Sequence, residues 1–450
     1  MQRVLLIISC LLTMAVQAQD SVLTMTLEEA LQIARRQQPD LRNAERNIAY
    51  ARAATREAKS SYKPKVTLEG DYRYNPIIQT SVLPANAFNP ANDPKELVPI
   101  RFGTPWNGVA GIRLKQPLYD PAKLATLDGS KLGEELALAD QKQLLADREE
   151  ELVKTWYNIM LDAAKAGYYA SDLESNKRNI DVINEQVKQG RALEQDLREA
   201  TLLMSESSIE LEKTQLDTYS DQVYLSYLMG YDSVQLIMPK EKLEDALPSS
   251  EGWRTTISAT KEEVNQRADV QRQSVNLKIA EINMKQTKAE QLPVVNFEGY
   301  LGATNFTNRF NPVTNWYGSS FLGVNIRYPI FGSGEKKAQL EQARFQFENE
   351  KETLRKLQQQ AYYETINSNN KTAYAAKMVE LQRSKLKVQE EKITIVRSRL
   401  EEGRALPQDL LNEETKLAEI RKDLYQYARD YMTALTELRK SLGKSPASKQ

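Results

Sequence analysis

One eight-residue segment of this chain occurs twice, 213 positions apart. Residues 190–197 have the sequence Gly-Arg-Ala-Leu-Glu-Gln-Asp-Leu, and residues 403–410 repeat seven of the eight. Three blocks align without gaps: 40–70 with 269–299, 111–117 with 323–329, and 190–230 with 403–443. Such self-similarity indicates that one structural unit occurs twice. We therefore look for a function that repeated units build together, such as a wall, a ring or a pore.

The first 18 residues have the pattern of a secretory signal peptide. Arg3 precedes an apolar run, and a small-residue cleavage site ends at Ala18. The only cysteine, Cys10, lies inside this segment, where lipidation is a second interpretation. The exported chain would contain neither Cys nor His, so it lacks disulfides and the commonest metal ligands and general bases. We expect no cofactor, no metal site and no enzymatic activity.

Composition excludes two further classes of protein. Lys and Arg together number 61, as do Asp and Glu, so no net charge attracts nucleic acid. After the leader, no apolar run approaches the roughly 20 residues that a membrane-spanning helix needs. Only 18 Gly and 17 Pro occur among 450 residues, which indicates long regular elements.

Each repeat contains two segments in which apolar and polar residues alternate. This period of two predicts strands at about 65–76, 108–117, 294–305 and 320–329. A proline flanks each predicted strand, and because proline ends a helix we expect these prolines at helix/strand junctions. The four junction residues are Pro64, Pro117, Pro293 and Pro329.

The predicted helices carry two columns of apolar residues. In the second repeat, the first column is Val379, Leu386, Ile393 and Leu400, and the second is Leu381, Val388 and Ile395. The columns lie about 200° apart around a helix. In the first repeat, the helix after the turn carries two such columns, Leu197, Met204 and Leu211, and Leu202, Ile209, Leu216 and Val223. Two opposed columns indicate a helix packed on both flanks, as in a barrel of helices; an ordinary helical bundle is the alternative.

Four alternating strands suit a membrane β-barrel but cannot close one, since an open sheet in lipid leaves unsatisfied backbone groups. Several copies must then share a barrel. Two copies give eight strands, and three give twelve with room for a lumen. The 73 residues between Pro117 and Gly190 would span about 110 Å as a helix, far more than the roughly 30 Å of bilayer hydrocarbon.

These patterns predict a division of the chain into five segments. They are a signal peptide at 1–18, a first repeat at 19–230, a connector at 231–260, a second repeat at 261–444 and a tail at 445–450. Helical hairpins turn near 190 and 403. About 17 extra residues between 70 and 111, rich in Pro, Asn and Asp, are expected to form a surface loop.

The chain resembles the TolC family of outer-membrane efflux proteins along nearly all of its exported length. The resemblance is carried by 27–31 with 39–41, by Pro64 and Pro293, by the blocks 111–119 and 323–332, and by the duplicated turns. It implies a mostly α fold with a membrane β-barrel portion. A trimer would form a 12-stranded barrel in the outer membrane on a periplasmic α-barrel.

The resemblance also implies a function and partners. The chain would be a passive duct without catalytic activity, contacting outer-membrane lipid. It would receive substrates from an inner-membrane transporter through a periplasmic adaptor protein, with small molecules as cargo. The alternatives are a duct for type I protein or peptide secretion and, from another class, a periplasmic coiled-coil adaptor.

Family members place the duplicated turns at the periplasmic mouth. The residues implied to contact the adaptor are Gly190, Arg191, Ala192, Leu193, Gly403, Arg404, Ala405 and Leu406. Those implied to line the aperture or gate are Asp196, Asp409 and Asn412, and Asn412 stands where an acidic residue would form a second ring. The residues alone allow another role for the two aspartates, because a carboxylate near a helix start stabilises that end.

Overall fold

The computed structural model describes residues 22–91, 93–248 and 260–445. The predicted signal peptide with Cys10, part of the predicted connector and all of the tail except Ser445 lie outside the described residues. None of the described helices is both long and apolar enough to cross a membrane.

The described part of the first repeat contains five strands, two shorter helices, a 3₁₀ turn and two long helices. Thr26 caps the first helix: its hydroxyl accepts from the Glu29 N–H, while the Glu29 carboxylate accepts from the Thr26 N–H. In chain order the elements are β1 (Leu23–Met25), α1 (Leu27–Gln37), α2 (Pro39–Ser60), β2 (Lys65–Tyr74), β3 (Thr80–Pro84), a 3₁₀ turn (Ala85–Ala87), β4 (Leu97–Arg101), β5 (Trp106–Tyr119), α3 (Pro121–Lys188) and α4 (Glu194–Leu228).

The second repeat has the same order of main elements. Thr260 and Glu263 form a capping box at its start, as Thr26 and Glu29 do in the first repeat. The connector contributes β6 (Ile237–Pro239) and α5 (Leu243–Ala246), and the repeat itself contains α6 (Lys261–Gln266), α7 (Ala268–Ala289), β7 (Val294–Thr307), β8 (Trp316–Arg327), α8 (Glu335–Glu401) and α9 (Pro407–Ser441).

The four predicted strands form one antiparallel sheet in the order β2-β5-β7-β8. Its register places Leu68 opposite Ile112, and Ile112 opposite Leu301. Because neighbouring residues of a strand point to opposite faces, the whole sheet has two distinct faces. The face that contains Leu68, Ile112 and Leu301, here called the apolar face, carries no charged residue on these four strands.

The prediction of four strands in total was too low. The segment expected to be a surface loop contains the hairpin β3–β4, with Pro84 opposite Leu97 and Val82 opposite Pro99. Proline is tolerated in such a two-stranded ribbon because each strand has a free edge that needs no N–H donor. In addition, β1 and β6 form a parallel pair.

Three of the four junction prolines lie between elements. Pro64 and Pro293 immediately precede β2 and β7, and Pro329 follows the end of β8. Pro117 requires a correction, since it lies inside β5 at a shift in the register with β7. The helix that follows begins at Pro121, where the missing N–H would be unpaired in any case.

The two apolar columns of the long helices have different environments. In α8 the first column is largely buried, with Val379 0% exposed, and it packs in clusters with side chains of α3 and α9. The second column is exposed, with Val388 65% exposed. In α4 the second column is likewise exposed at Leu202, Ile209 and Leu216. Each hairpin therefore has one apolar column that is partly or wholly buried within the chain and one that is largely exposed.

The residues group into two compact units, each drawn from both repeats. One unit comprises the described residues within Met1–Ile48, Leu136–Val275 and Glu352–Gln450. It includes the interhelical turns and the clusters around Trp156 and Val379. The other comprises Ala49–Glu135 and Asn276–Lys351, and contains the four-stranded sheet. The sequence repeats are therefore not the compact units of the fold.

Candidate functional site at the two interhelical turns

The duplicated segments are turns between long helices, and both have the same backbone geometry. Gly190 and Gly403 have φ of +66° and +71°, which L side chains rarely adopt. The N–H of Arg191 donates to the Gln186 carbonyl at 2.8 Å, and that of Arg404 donates to the Arg399 carbonyl at 2.7 Å. These are the long hydrogen bonds of a Schellman motif, so glycine ends both helices in the same way.

The helix that follows each turn is capped by the predicted aperture aspartate. Asp196 Oδ2 accepts from the Leu193 N–H at 2.9 Å, and Asp409 Oδ2 accepts from the Leu406 N–H at 3.1 Å. Each carboxylate pairs an N–H that the helix leaves free and lies at the positive end of the helix dipole. Both aspartates therefore stabilise the start of the helix that follows, which is the alternative role that the sequence allowed for them.

The two turns lie side by side. A Cβ atom added to Gly403 would be 4.0 Å from the Nη1 atom of Arg191. Gln186 Nε2 donates to the Leu400 carbonyl at 3.1 Å, which joins the ends of α3 and α8. The structure thus brings together the eight residues expected to contact the adaptor.

Most of this paired tip faces solvent. Gly190, Arg191, Leu193 and their counterparts Gly403, Arg404 and Leu406 are exposed, and the two alanines, Ala192 and Ala405, are half-buried. Arg404 Nη1 lies 3.0 Å from Glu402 Oε2, but both side chains are exposed, so this ion pair adds little stability. Exposed leucines and arginines around two rigid turns form a surface suited to contact with another protein.

The three predicted aperture residues differ in exposure. Asp196 is half-buried, whereas Asp409 and Asn412 are exposed. Asn412 Oδ1 accepts from Gln408 Nε2 at 3.3 Å, one helical turn earlier. Asp409 therefore presents its charge to solvent while it caps α9, and its role as a gate stays a prediction.

Two buried glutamates, Glu413 and Glu414, lie one turn beyond Asp409 and were not predicted from the sequence. Glu413 accepts from Gln389 Nε2 and Lys392 Nζ, both at 2.8 Å. Glu414 accepts from Arg397 Nη2 at 2.8 Å. These bonds join α9 to α8 directly below the tips. In the sequence, two adjacent glutamates look the same whether they are buried or solvated. Only the tertiary contacts show that this pair is buried.

The hydrogen bond from Lys392 is the largest cause that lowers the pKa of Glu413, to about 2. Because the pKa of Glu413 is lower in the folded than in the unfolded state, its ionised carboxylate stabilises the fold at pH values above the unfolded pKa, near 4.5. That contribution is lost as pH falls from about 4.5 towards 2. We expect the unfolding free energy to fall by about 1–2 kcal/mol per chain over this window, allowing for solvent screening.

Urea unfolding followed by circular dichroism at several pH values, on the protein and on Glu413→Gln, measures this contribution. The variant should be less stable at pH 7 and show a smaller acid-induced loss. Equal acid sensitivity of the two proteins would contradict the assignment.

The strands supply a second functional surface, opposite the apolar face and here called the polar face. It carries the ion pairs Glu69–Arg113 at 2.7 Å and Glu298–Lys115 at 3.6 Å. The Arg113 guanidinium also lies 5.4 Å from the centre of the Tyr300 ring. A sheet with one charge-free face and one charged face has the pattern of a barrel wall between lipid and water.

Residues 260–444 match the family described as "Outer membrane efflux protein". These residues, which make up the second repeat, are similar to that family. The resemblance predicted from sequence is confirmed, as are the mostly helical fold with strands and the outer-membrane location.

Solved channels share this fold. CusC, which forms a transmembrane channel, superimposes on this chain with a TM-score of 0.78. The superposition covers 93% of this chain and 92% of CusC, at 15% sequence identity. The MtrE outer membrane channel of Neisseria gonorrhoeae gives 0.75 over 93% and 89%, also at 15% identity. At these identities the likeness concerns the fold alone.

A curated relative is also similar in sequence. The proteases secretion protein PrtF of Dickeya chrysanthemi is 23% identical over 348 residues, which cover 75% of this chain and 73% of the relative. The matched family and the shared fold are those of channel proteins. The prediction of an outer-membrane efflux channel is therefore confirmed.

Proposed function

We propose that this protein is a homotrimeric passive duct that conducts small molecules across the periplasm and the outer membrane. An inner-membrane transporter supplies the energy, and a periplasmic adaptor joins the transporter to the duct. The observation that carries the proposal is the four-stranded sheet. Its apolar face has no charge, and no described strand pairs with the outer edges of β2 and β8.

The sheet supports assembly with other copies. β2 and β8 are its outer strands, and no described strand pairs with their free edges. In lipid each unpaired backbone group costs several kcal/mol, so these edges need partners. When β8 of one copy pairs with β2 of the next, the sheet closes without an edge, and three copies supply twelve strands with a lumen.

The helices support the same assembly by a separate contact. The second columns of α4 and α8 expose leucine, isoleucine and valine at a seven-residue spacing. Contact between the α4 column of one copy and the α8 column of another would remove both from water, at about 25 cal/mol per Å². Neighbouring copies of the chain would thus pair the free sheet edges and also cover the exposed helix columns.

The paired tips support docking of the adaptor. Each copy presents two turns, so a trimer presents six, with exposed Arg191, Leu193, Arg404 and Leu406 around them. In this proposal, the two predicted repeats form the wall of the duct, and the predicted connector contributes β6 and α5.

Asp409 is proposed as the acidic ring of the periplasmic aperture. Asp409→Asn removes the charge but leaves an oxygen that can accept from the Leu406 N–H. A changed block of current by divalent cations in this variant would support the gate. An unchanged block would leave Asp409 with its capping role only.

The test of the duct is the assembly and conductance of the purified protein. We expect a detergent-solubilised trimer by light scattering, and stepwise ion currents in a planar lipid bilayer. Val388→Asp places a charge in an exposed apolar column and should reduce the trimer. Lys387→Asp, at an exposed position about 100° around the helix from Val388, serves as a control. A water-soluble monomer after signal removal would contradict the proposal.

Type I secretion of proteins or peptides is a second candidate. The observation in its favour is the similarity to PrtF, a proteases secretion protein. Co-expression with a type I transporter, its adaptor and a secreted protease would separate the candidates. Extracellular protease that depends on this chain would favour secretion, and restored resistance to small toxic molecules with an efflux pump would favour efflux.

A further inference from the structure

The polar face of the sheet carries more cations than carboxylates. Its cations are Lys65, Arg73, Arg113, Lys115 and Arg327. Its carboxylates are Glu69, Asp71 and Glu298. The face is therefore positive by two charges per chain, whereas the whole chain is neutral. Positive and negative charges are equal in number over the whole chain, but the fold places an excess of positive charge on this face.

Each carboxylate on this face is already paired with a cation of the same face. Glu69 pairs with Arg113, Asp71 with Arg73 at 2.7 Å, and Glu298 with Lys115. Lys65 and Arg327 have no carboxylate within 4.0 Å among the described residues. The excess positive charge is thus located on these two side chains.

The unpaired cations collect at one end of the sheet. Lys65 is directly opposite Lys115 in the register of β2 and β5. Arg327 is the last residue of β8, opposite Val294 at the start of β7, so it lies at the same end as Lys65. Lys65 and Arg327 also stand on the two edge strands, which neighbouring copies bring together in the proposed trimer.

We propose that Lys65, Lys115 and Arg327 form a cationic belt in the lumen and make the duct selective for anions. This inference rests on the proposed trimeric barrel and names the class of solute that it favours. Three copies would supply nine cations near one end of the barrel, with Arg327 four residues further along the strands than Lys65 and Lys115. Three carboxylates, those of Glu298, lie opposite Lys115. A narrow, low-dielectric passage focuses such a field and raises the local concentration of anions, so anionic small molecules would enter most readily.

The test is the reversal potential of the trimer in a planar bilayer under a KCl gradient. The wild-type protein should be more permeable to Cl⁻ than to K⁺. The variant Lys65→Gln/Lys115→Gln/Arg327→Gln should reduce the Cl⁻/K⁺ permeability ratio by about threefold or more. The charge-conserving variant Lys65→Arg/Lys115→Arg/Arg327→Lys should keep the wild-type ratio.

The outcomes distinguish this inference from the proposed function. A conducting trimer whose permeability ratio is unchanged by the three glutamines would overturn the cationic belt and leave the duct intact. A protein with no current under any condition would overturn both. Equal shifts in the glutamine and the charge-conserving variants would also reject the belt, since a structural change would then explain the effect.

Discussion

Replacement of Gly230 by alanine is expected to destabilise the helical hairpin of the first repeat by about 3 kcal/mol. Gly230 has a φ of +78°, where alanine is strained. The added Cβ would also lie 2.8 Å from backbone atoms of Gln37 and Gln38, at the break between α1 and α2. Backbone atoms cannot move aside as a flexible side chain can, so the packing of α4 on this break must open.

Gly190→Ala is the matched control for this prediction. Gly190 has a similar φ of +66°, but an added Cβ meets no atom within 4 Å. It should therefore cost only the backbone strain, about 1 kcal/mol. Urea midpoints of the helical circular dichroism signal of the detergent-solubilised proteins give the comparison. Equal losses in both variants would show that backbone strain alone, and not the contact with Gln37 and Gln38, requires glycine at 230.

Leu322→Arg is expected to prevent most of the protein from assembling in the outer membrane. Leu322 lies on the apolar face of β8 and is 78% exposed in the single chain. In a water-soluble protein such a surface substitution would be nearly neutral. Facing lipid, an arginine costs about 2–4 kcal/mol at mid-depth, and a trimer would contain three.

Ser319→Arg is the control on the opposite face of the same strand. Ser319 is exposed and opposite Gly302 on the polar face, so an arginine there would enter the lumen and remain hydrated. Quantification of trimer in isolated outer membranes should show a large loss for Leu322→Arg and little for Ser319→Arg. Similar yields of the two would contradict the assignment of the apolar face to lipid.

Local patterns in the sequence predicted most of the fold. Alternation with a period of two identified all four strands of the sheet, because each has one charge-free face. The hairpin β3–β4 was missed because its prolines resemble loop signals, although Pro84 and Pro99 lie in a ribbon with free edges. Pro117 was assigned to a junction because the pattern cannot show that β5 continues past a bulge to Tyr119.

The candidate site was predicted in part. The repeated Gly-Arg-Ala-Leu motif located both turns, since glycine at the end of a long helix has a specific backbone role. The sequence could not show that the turns touch, which depends on how the two hairpins pack. It also gave no reason to select Glu413 and Glu414, whose burial depends on Lys392 and Arg397 of another helix.

The duplication, the strands and the two columns on each helix follow from the sequence itself, because period and identity are properties of neighbouring residues. The tertiary structure decided which apolar column is buried within the chain and which is left exposed. It also decided that a neutral chain collects its excess cations on one face of the sheet. Both results depend on contacts between residues distant in sequence, such as Lys65 with Lys115, which no local period encodes.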